Sequence, residues 1–117
     1  MPTYNYFYDL PGYKSCRVFR KKISAVAKKY FPKSEEYHLK AQVLDSGRSI
    51  SANIAEGFGR YHYQENIQFC RQSRGSLDET LEHMITAFDD KFFTREMLSD
   101  INKDYKECRK QLNSYRK

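Results

Sequence analysis

The sequence predicts an all-α protein, an antiparallel up-down four-helix bundle. Apolar residues recur at spacings of three and four along four segments, no segment alternates with period two, and short turns separate the segments. No repeat or low-complexity stretch interrupts the pattern. A chain of 117 residues is the size of one domain and buries a core without metal or disulfide staples, so residues 1–117 are read as a single four-helix-bundle domain.

The first helix is expected over residues 13–31, where Phe19, Ile23, Val26, Ala27 and Tyr30 form the apolar stripe and Pro32 closes the segment. The second is expected over 35–57. Ser34 is its N-cap, Glu35 and Glu36 occupy a first turn that favours acidic side chains, and its seam runs through Leu39, Val43, Ser46, Ile50, Asn53 and Gly57. The third, 64–90, carries an unbroken alternation of three and four through Ile67, Cys70, Arg74, Leu77, Leu81, Met84 and Phe88. Thr94 caps the fourth, 95–116, whose seam is Leu98, Ile101, Tyr105, Cys108, Leu112 and Tyr115.

The stretch "SISANIAEGFGR" places small residues at the centre of this helical chain. Gly47, Ser49, Ser51, Ala52 and Ala55 let a neighbouring backbone approach, and Gly75 and Ser76 offer the matching thin patch on the third helix. A bulky residue at Ala55 or Gly75 is expected to overpack that crossing. Gly57 and Gly59 are expected to take the left-handed conformation that ends the second helix. Asn53 and Glu56 project from adjacent turns, with Arg60 four residues on as a partner for the carboxylate. They form either an internal polar network tied to the third helix through Ser76 or Glu79, or a pocket or subunit contact.

Several classes of chemistry find no support. A di-iron bundle needs two Glu-x-x-His units, and only Glu35 to His38 has that spacing; His83 is four residues from Glu79, and His62 falls in a turn. The "GFG" of residues 57–59 lacks the lysine and preceding strand of a phosphate loop. Cys16, Cys70 and Cys108 form no CxxC pair and sit on helical stripes, so they are expected to be reduced core thiols and not nucleophiles. No catalytic residue, metal or cofactor is implied. No apolar run reaches the ~18 residues that span a bilayer, and "MPTYNYFYDLPGY" lacks the plan of a signal peptide, so no membrane role and a cytoplasmic location are expected.

Charge is the more informative signal. Residues 1–32 hold seven Lys or Arg against one Asp, residues 33–91 seven against ten, and residues 92–117 seven against four, which sums to the net +6. The excess lies on the terminal helices, neighbours in an up-down bundle. Lys14, Arg17, Lys21 and Lys28 share one face of the first, opposite its apolar stripe, and Lys103, Lys106, Lys110 and Lys117 repeat that spacing on the fourth. Such faces are either simply solvated or suited to an anionic partner.

"FPKSEEYHL", "SISANIAEGFGR" and "GSLDETLEHMITAF", with the opening "YDLPGYK", resemble the signature blocks of the 23S rRNA-intervening sequence protein family, also called the four-helix-bundle protein family. The matching positions are Glu36, Leu39, Gln42, Ser49, Asn53, Ile54, Ala55, Glu56, Gly57, Arg60, Gly75, Ser76, Leu77 and Glu79, and the chain departs from the pattern at "YHYQEN", where the family usually has a Ser to cap the third helix. The resemblance implies a bacterial, non-enzymatic bundle, often a ring-shaped homopentamer. It also implies kinship with accessory proteins of diversity-generating retroelements, which bind nucleic acid and assist a reverse transcriptase as protein partner. The surplus of Tyr and Phe in "YNYFYDL" and "KFF" independently favours a homo-oligomer that shares an apolar patch. Two functions are therefore expected as alternatives: non-specific binding of RNA or DNA through the basic faces, as an accessory or chaperone-like factor, or a homo-oligomeric protein-interaction scaffold.

Overall fold

The computed structural model describes residues 4–59 and 63–115, the side chains of 63–65, 114 and 115 excepted. Its four helices are α1 (Pro11–Tyr30), α2 (Leu39–Phe58), α3 (Tyr63–Asp89) and α4 (Arg95–Tyr115), with short 3-10 turns at Phe7–Asp9 and Lys33–Glu35. Contacts run α1 to α2, α2 to α3, α3 to α4 and back from α4 to α1, the closed order of an up-down bundle. The chain is thus an all-α four-helix bundle, as its spacing predicts. Cys16 meets Cys108 near one end of the α1–α4 pair, and the Phe31 and Phe92 rings meet, 5.5 Å apart, near the other, so these helices are antiparallel.

The seams are buried as the three-and-four spacing requires. Phe19, Ile23, Val43, Ile50, Leu77, Met84, Ile101 and Leu112 are closed off from solvent, and so is Ile54, next to the half-buried Asn53 of the expected second seam. Tyr30, expected on the α1 stripe, is 40% exposed. The helix ends there, because the residue before Pro32 is driven to the extended conformation, and Phe31 takes the buried place instead.

Helix α2 starts four residues later than expected, and Ser34 does not cap it. Pro32 opens the 3-10 turn that holds Ser34, and the backbone of His38 leaves the helical region before Leu39. The capping is done by Glu35, whose Oε1 accepts the Leu39 N–H at 3.1 Å. Thr94 behaves as expected: its Oγ1 accepts the Met97 N–H at 3.3 Å at the start of α4.

Neither Gly57 nor Gly59 is left-handed. Gly59 stays right-handed at φ −73°, and Lys91, at φ 68°, is the one left-handed non-glycine among the described residues. It ends α3 in a Schellman turn, with Lys91 N–H donating to Phe88 O at 2.8 Å and Phe92 N–H to Ala87 O at 3.0 Å.

The close crossing of α2 and α3 includes Ser49 and Ser76, as the small-residue pattern suggests, but Gly75 takes no part in it and Gly57 does. A Cβ on Gly75 would meet nothing within 4 Å, whereas one on Gly57 would stand 2.8 Å from Phe69 Cβ and 3.2 Å from Asn66 Oδ1. Gly47 turns away from α3 and lies against the Arg20 stem of α1. Between these points a ladder of hydroxyls joins the helices. Ser73 donates to Ile50 O at 2.6 Å, Thr80 Oγ1 lies 2.7 Å from Ser46 Oγ, and the Ser49 and Ser76 hydroxyls are 2.9 Å apart.

Cys16 and Cys108 are joined as a disulfide rather than left as reduced thiols, with Cα atoms 5.3 Å apart. Both lie on seams that face each other only after α1 and α4 pair, across a separation of 92 residues that spacing alone does not bridge. Cys70 is buried and outside the disulfide, its Sγ 3.7 Å from Asn66 Oδ1.

Candidate nucleic-acid interface

A lysine or arginine already held by a carboxylate has much of its field cancelled, so an anion-binding face is built from cations without such partners. Lys22 is taken. It turns toward α4, where its Nζ lies 2.8 Å from Asp100 Oδ2 and 2.6 Å from Asp104 Oδ2. Hydrogen bonds to Asp100 and then Asp104 raise its pKa above the ordinary lysine value. The hydrogen bond from Lys22, followed by its charge, lowers that of Asp100. Arg109 is held across the α3–α4 seam, its Nη1 donating to both Asp78 oxygens at 2.9 Å. Lys40 pairs with Glu36 one turn away at 3.0 Å.

Lys14, Arg17, Lys21 and Lys28 differ. All four are exposed, and among the described residues none is paired with a carboxylate. Their helical spacing brings them to one side of α1, as expected. The first three line a groove of about 620 Å³ together with Phe7, Tyr8, Tyr13 and Val18, where the Phe7–Asp9 turn folds back on α1. Lys28 lines a second, smaller cleft of about 150 Å³ between α1 and α2, with Arg20, Ser24, Gly47 and Arg48. Among the described residues no acidic side chain lines either. Arg20 Nε is shut off from solvent there without a hydrogen-bond partner.

On α4, Lys103, Lys106 and Lys110 are also exposed and form no salt bridge among the described residues, although the charge of Lys103 helps to lower the Asp100 pKa, while Lys117 lies outside them. Helices α1 and α4 are neighbours, but their seam carries Asp100 and Asp104 bound to Lys22. The α1 and α4 stripes are therefore flanked by carboxylates on the side where they approach. The basic face of α1 continues instead toward the N-terminal turn and α2. Arg20, Arg48, Tyr8 and Tyr13 belong to this face and carry no spacing in the sequence that singles them out.

The motif positions fall mostly on the α2–α3 seam. Asn53 Nδ2 donates to Ser49 O at 2.8 Å and to Ser49 Oγ at 3.0 Å, which leaves the Ser49 proton for Ser76. Of the polar network expected there, the Asn53 part is present and reaches the third helix through Ser49 and Ser76. Glu79 is not part of it, since it is exposed and lies 3.3 Å from His83 Nε2 within its own helix. Glu56 is exposed on α2, Gly57 is buried against Phe69, Gly75 faces open space, and Arg60 lies outside the described residues, as does His62. Among the described residues no group of three or more His, Cys, Asp or Glu could hold a metal ion, and no helix is long and apolar enough to cross a membrane.

The family model of the 23S rRNA-intervening sequence protein matches residues 8–114. A crystal structure of a protein with unknown function from the S23 ribosomal protein family of Bacteroides thetaiotaomicron is similar in fold, with a TM-score of 0.81 at 26% identity, covering 91% of this chain and 98% of that one. No curated protein matches the chain.

Proposed function

The chain belongs to the 23S rRNA-intervening sequence protein family, and from that membership and the geometry of α1 we propose that it is a non-catalytic protein that binds RNA or DNA by the backbone phosphates. The observation that carries this reading is the set of exposed cations Lys14, Arg17, Lys21 and Lys28 on one helix face, none of them paired with a carboxylate among the described residues. Over 14 residues that face extends about 21 Å at 1.5 Å per residue, long enough to meet several successive phosphates. Phosphate contact positions a nucleic acid without reading its sequence, so the binding is non-specific. Lys103, Lys106 and Lys110 add a second, separate set on α4. Assembly into a homo-oligomer, a pentameric ring by family likeness, repeats the face around the ring and multiplies weak contacts.

The test is fluorescence anisotropy of labelled RNA and DNA oligomers between about 50 and 200 mM salt. Binding at low salt that weakens steeply as salt rises supports the reading. No binding at the low-salt end removes it.

A second reading, a protein-interaction scaffold, is favoured by a groove of about 620 Å³ between α3 and α4, lined by Leu81, Ile85 and Leu98 with Arg95, Glu96, Ser99 and Asn102. Ile85 is 38% exposed there, and a second copy of the chain is the occupant this reading assigns. Light scattering discriminates: a species of 14.0 kDa across the micromolar range argues against self-association through this groove.

A further inference from the structure

We infer that the groove at the start of α1 is a subsite for single-stranded nucleic acid, in which unpaired bases stack on the N-terminal tyrosines while the strand's phosphates meet Lys14, Arg17 and Lys21. This rests on the nucleic-acid reading above and goes beyond it by naming the form of the ligand. Two independent features of the groove meet in that one ligand.

The first is aromatic. Tyr6 and Tyr8 are stacked face to face, with ring centroids 5.2 Å apart and planes within 5°, yet they remain 56% and 51% exposed. Apolar ring surface held in the open at two neighbouring positions gains nothing from the fold's own core. The pair is held in place from below: Phe7 sets its edge against Tyr8 at 5.6 Å and against Tyr13 of α1 at 5.0 Å. The rings are thus braced on a helix and presented at the surface. A flat, rigid, solvent-facing π surface takes another flat ring, and every nucleobase offers one.

The second feature is charge. Lys14, Arg17 and Lys21 line the same groove as Tyr8 and Tyr13, and among the described residues no carboxylate lines it. A ligand that fills the groove must therefore carry flat apolar rings and regularly spaced negative charge together. A single strand has both accessible at once. A duplex has the charge but hides its base faces in its own stack, and an acidic peptide has the charge without the faces. Single-strand binders combine these two elements, a basic groove and an aromatic platform.

The test compares a labelled oligo-dT or oligo-U strand with a hairpin duplex of equal phosphate number, at one low salt concentration, for wild type, Tyr6→Ser/Tyr8→Ser and Tyr8→Phe. Wild type is expected to bind the strand at least tenfold more tightly than the duplex. The double serine variant is expected to lose about tenfold on the strand, keep its duplex affinity and keep its salt slope, while Tyr8→Phe, which retains the ring, binds like wild type. The chain has ten Tyr and no Trp, so quenching of its intrinsic fluorescence by the strand, reduced in the serine variant, gives a second readout. Far-ultraviolet dichroism matching wild type checks that the serine variant is folded, and the Tyr8→Phe comparison holds independently of it. Equal affinity of wild type for strand and duplex overturns the inference while leaving phosphate binding intact, as does equal weakening of both by the serine variant. Polyglutamate competing as well as the strand overturns it too. Absence of binding to any nucleic acid removes both readings together.

Discussion

Gly57 and Phe69 meet across the α2–α3 seam: a methyl group on Gly57 would stand 2.8 Å from Phe69 Cβ, nearer than packed carbons approach. Because the obstacle is the root of a side chain and not its flexible end, the helices themselves must separate to admit it. Gly57→Ala therefore costs about 1–2 kcal/mol of stability, even after the ~1 kcal/mol that alanine gains in helix propensity. Gly75→Ala, facing open space in the middle of α3, has the opposite sign and stabilises by about 0.5–1 kcal/mol. Denaturant midpoints of the two variants check this, and equal shifts of the same sign would contradict it.

Thr80 is fully buried, with its Oγ1 2.7 Å from both Ser46 Oγ and Ser76 O. Thr80→Val keeps the shape and deletes the hydroxyl, which leaves the buried Ser46 with only its 3.3 Å bond to Val43 O. The expected loss is about 1–3 kcal/mol, measured by urea unfolding.

The Cys16–Cys108 disulfide joins the N-terminal half of α1 to the C-terminal half of α4 across 92 residues. Cross-links that close long loops restrict the unfolded chain most, so a reductant, or Cys16→Ala/Cys108→Ala, lowers stability by about 2–4 kcal/mol. A melting temperature unchanged by reductant would contradict the pairing.

Lys91 adopts φ 68° at the end of α3, where a side chain is strained and glycine is not. Lys91→Gly stabilises the fold by roughly 0.5–1 kcal/mol in a thermal melt.

The Lys22–Asp100–Asp104 cluster sets a pH window. Asp100 has its pKa lowered, so its contribution is present above the ordinary carboxylate value and is lost as pH falls through the lowered one. Lys22 has its pKa raised, so its contribution is present below the ordinary lysine value and is lost as pH rises through the raised one. The difference in urea midpoint between wild type and Lys22→Met is flat across neutral pH and shrinks at both extremes. A difference that grew on acidification would contradict the pairing.

What the sequence made legible follows from what helical spacing encodes. The three-and-four recurrence placed all four helices and much of the core, though not Ile54, Thr80, Ala87 or Phe93, and it put Lys14, Arg17, Lys21 and Lys28 on one exposed face. It could not show which residues oppose one another once helices pair. That is why Cys16 and Cys108 read as separate thiols, why Gly75 reads as part of a crossing it only borders, and why the carboxylates along the α1–α4 seam carry no signal in the sequence. Ser34 looked like a cap because it has cap chemistry, but Pro32 and the break at His38 moved the helix start beyond its reach. The aromatic part of the interface was hidden for a different reason. Tyr6, Phe7 and Tyr8 precede the first helix, and only the turn of Phe7–Asp9 back onto α1 brings Tyr8 beside Lys14 and Arg17.

The measurement that tests phosphate binding by the α1 face most directly is the salt dependence of affinity for a labelled single strand, compared among wild type, Lys14→Glu/Arg17→Glu/Lys21→Glu and Lys103→Glu/Lys106→Glu/Lys110→Glu. All six side chains are exposed, so both variants are expected to keep the fold, which dichroism verifies. The α1 variant should lose most of the low-salt affinity, with the slope of log affinity against log salt shallower by about 0.7 for each phosphate contact removed, and the α4 variant should lose less. An α1 variant that binds as tightly and as steeply as wild type would contradict it.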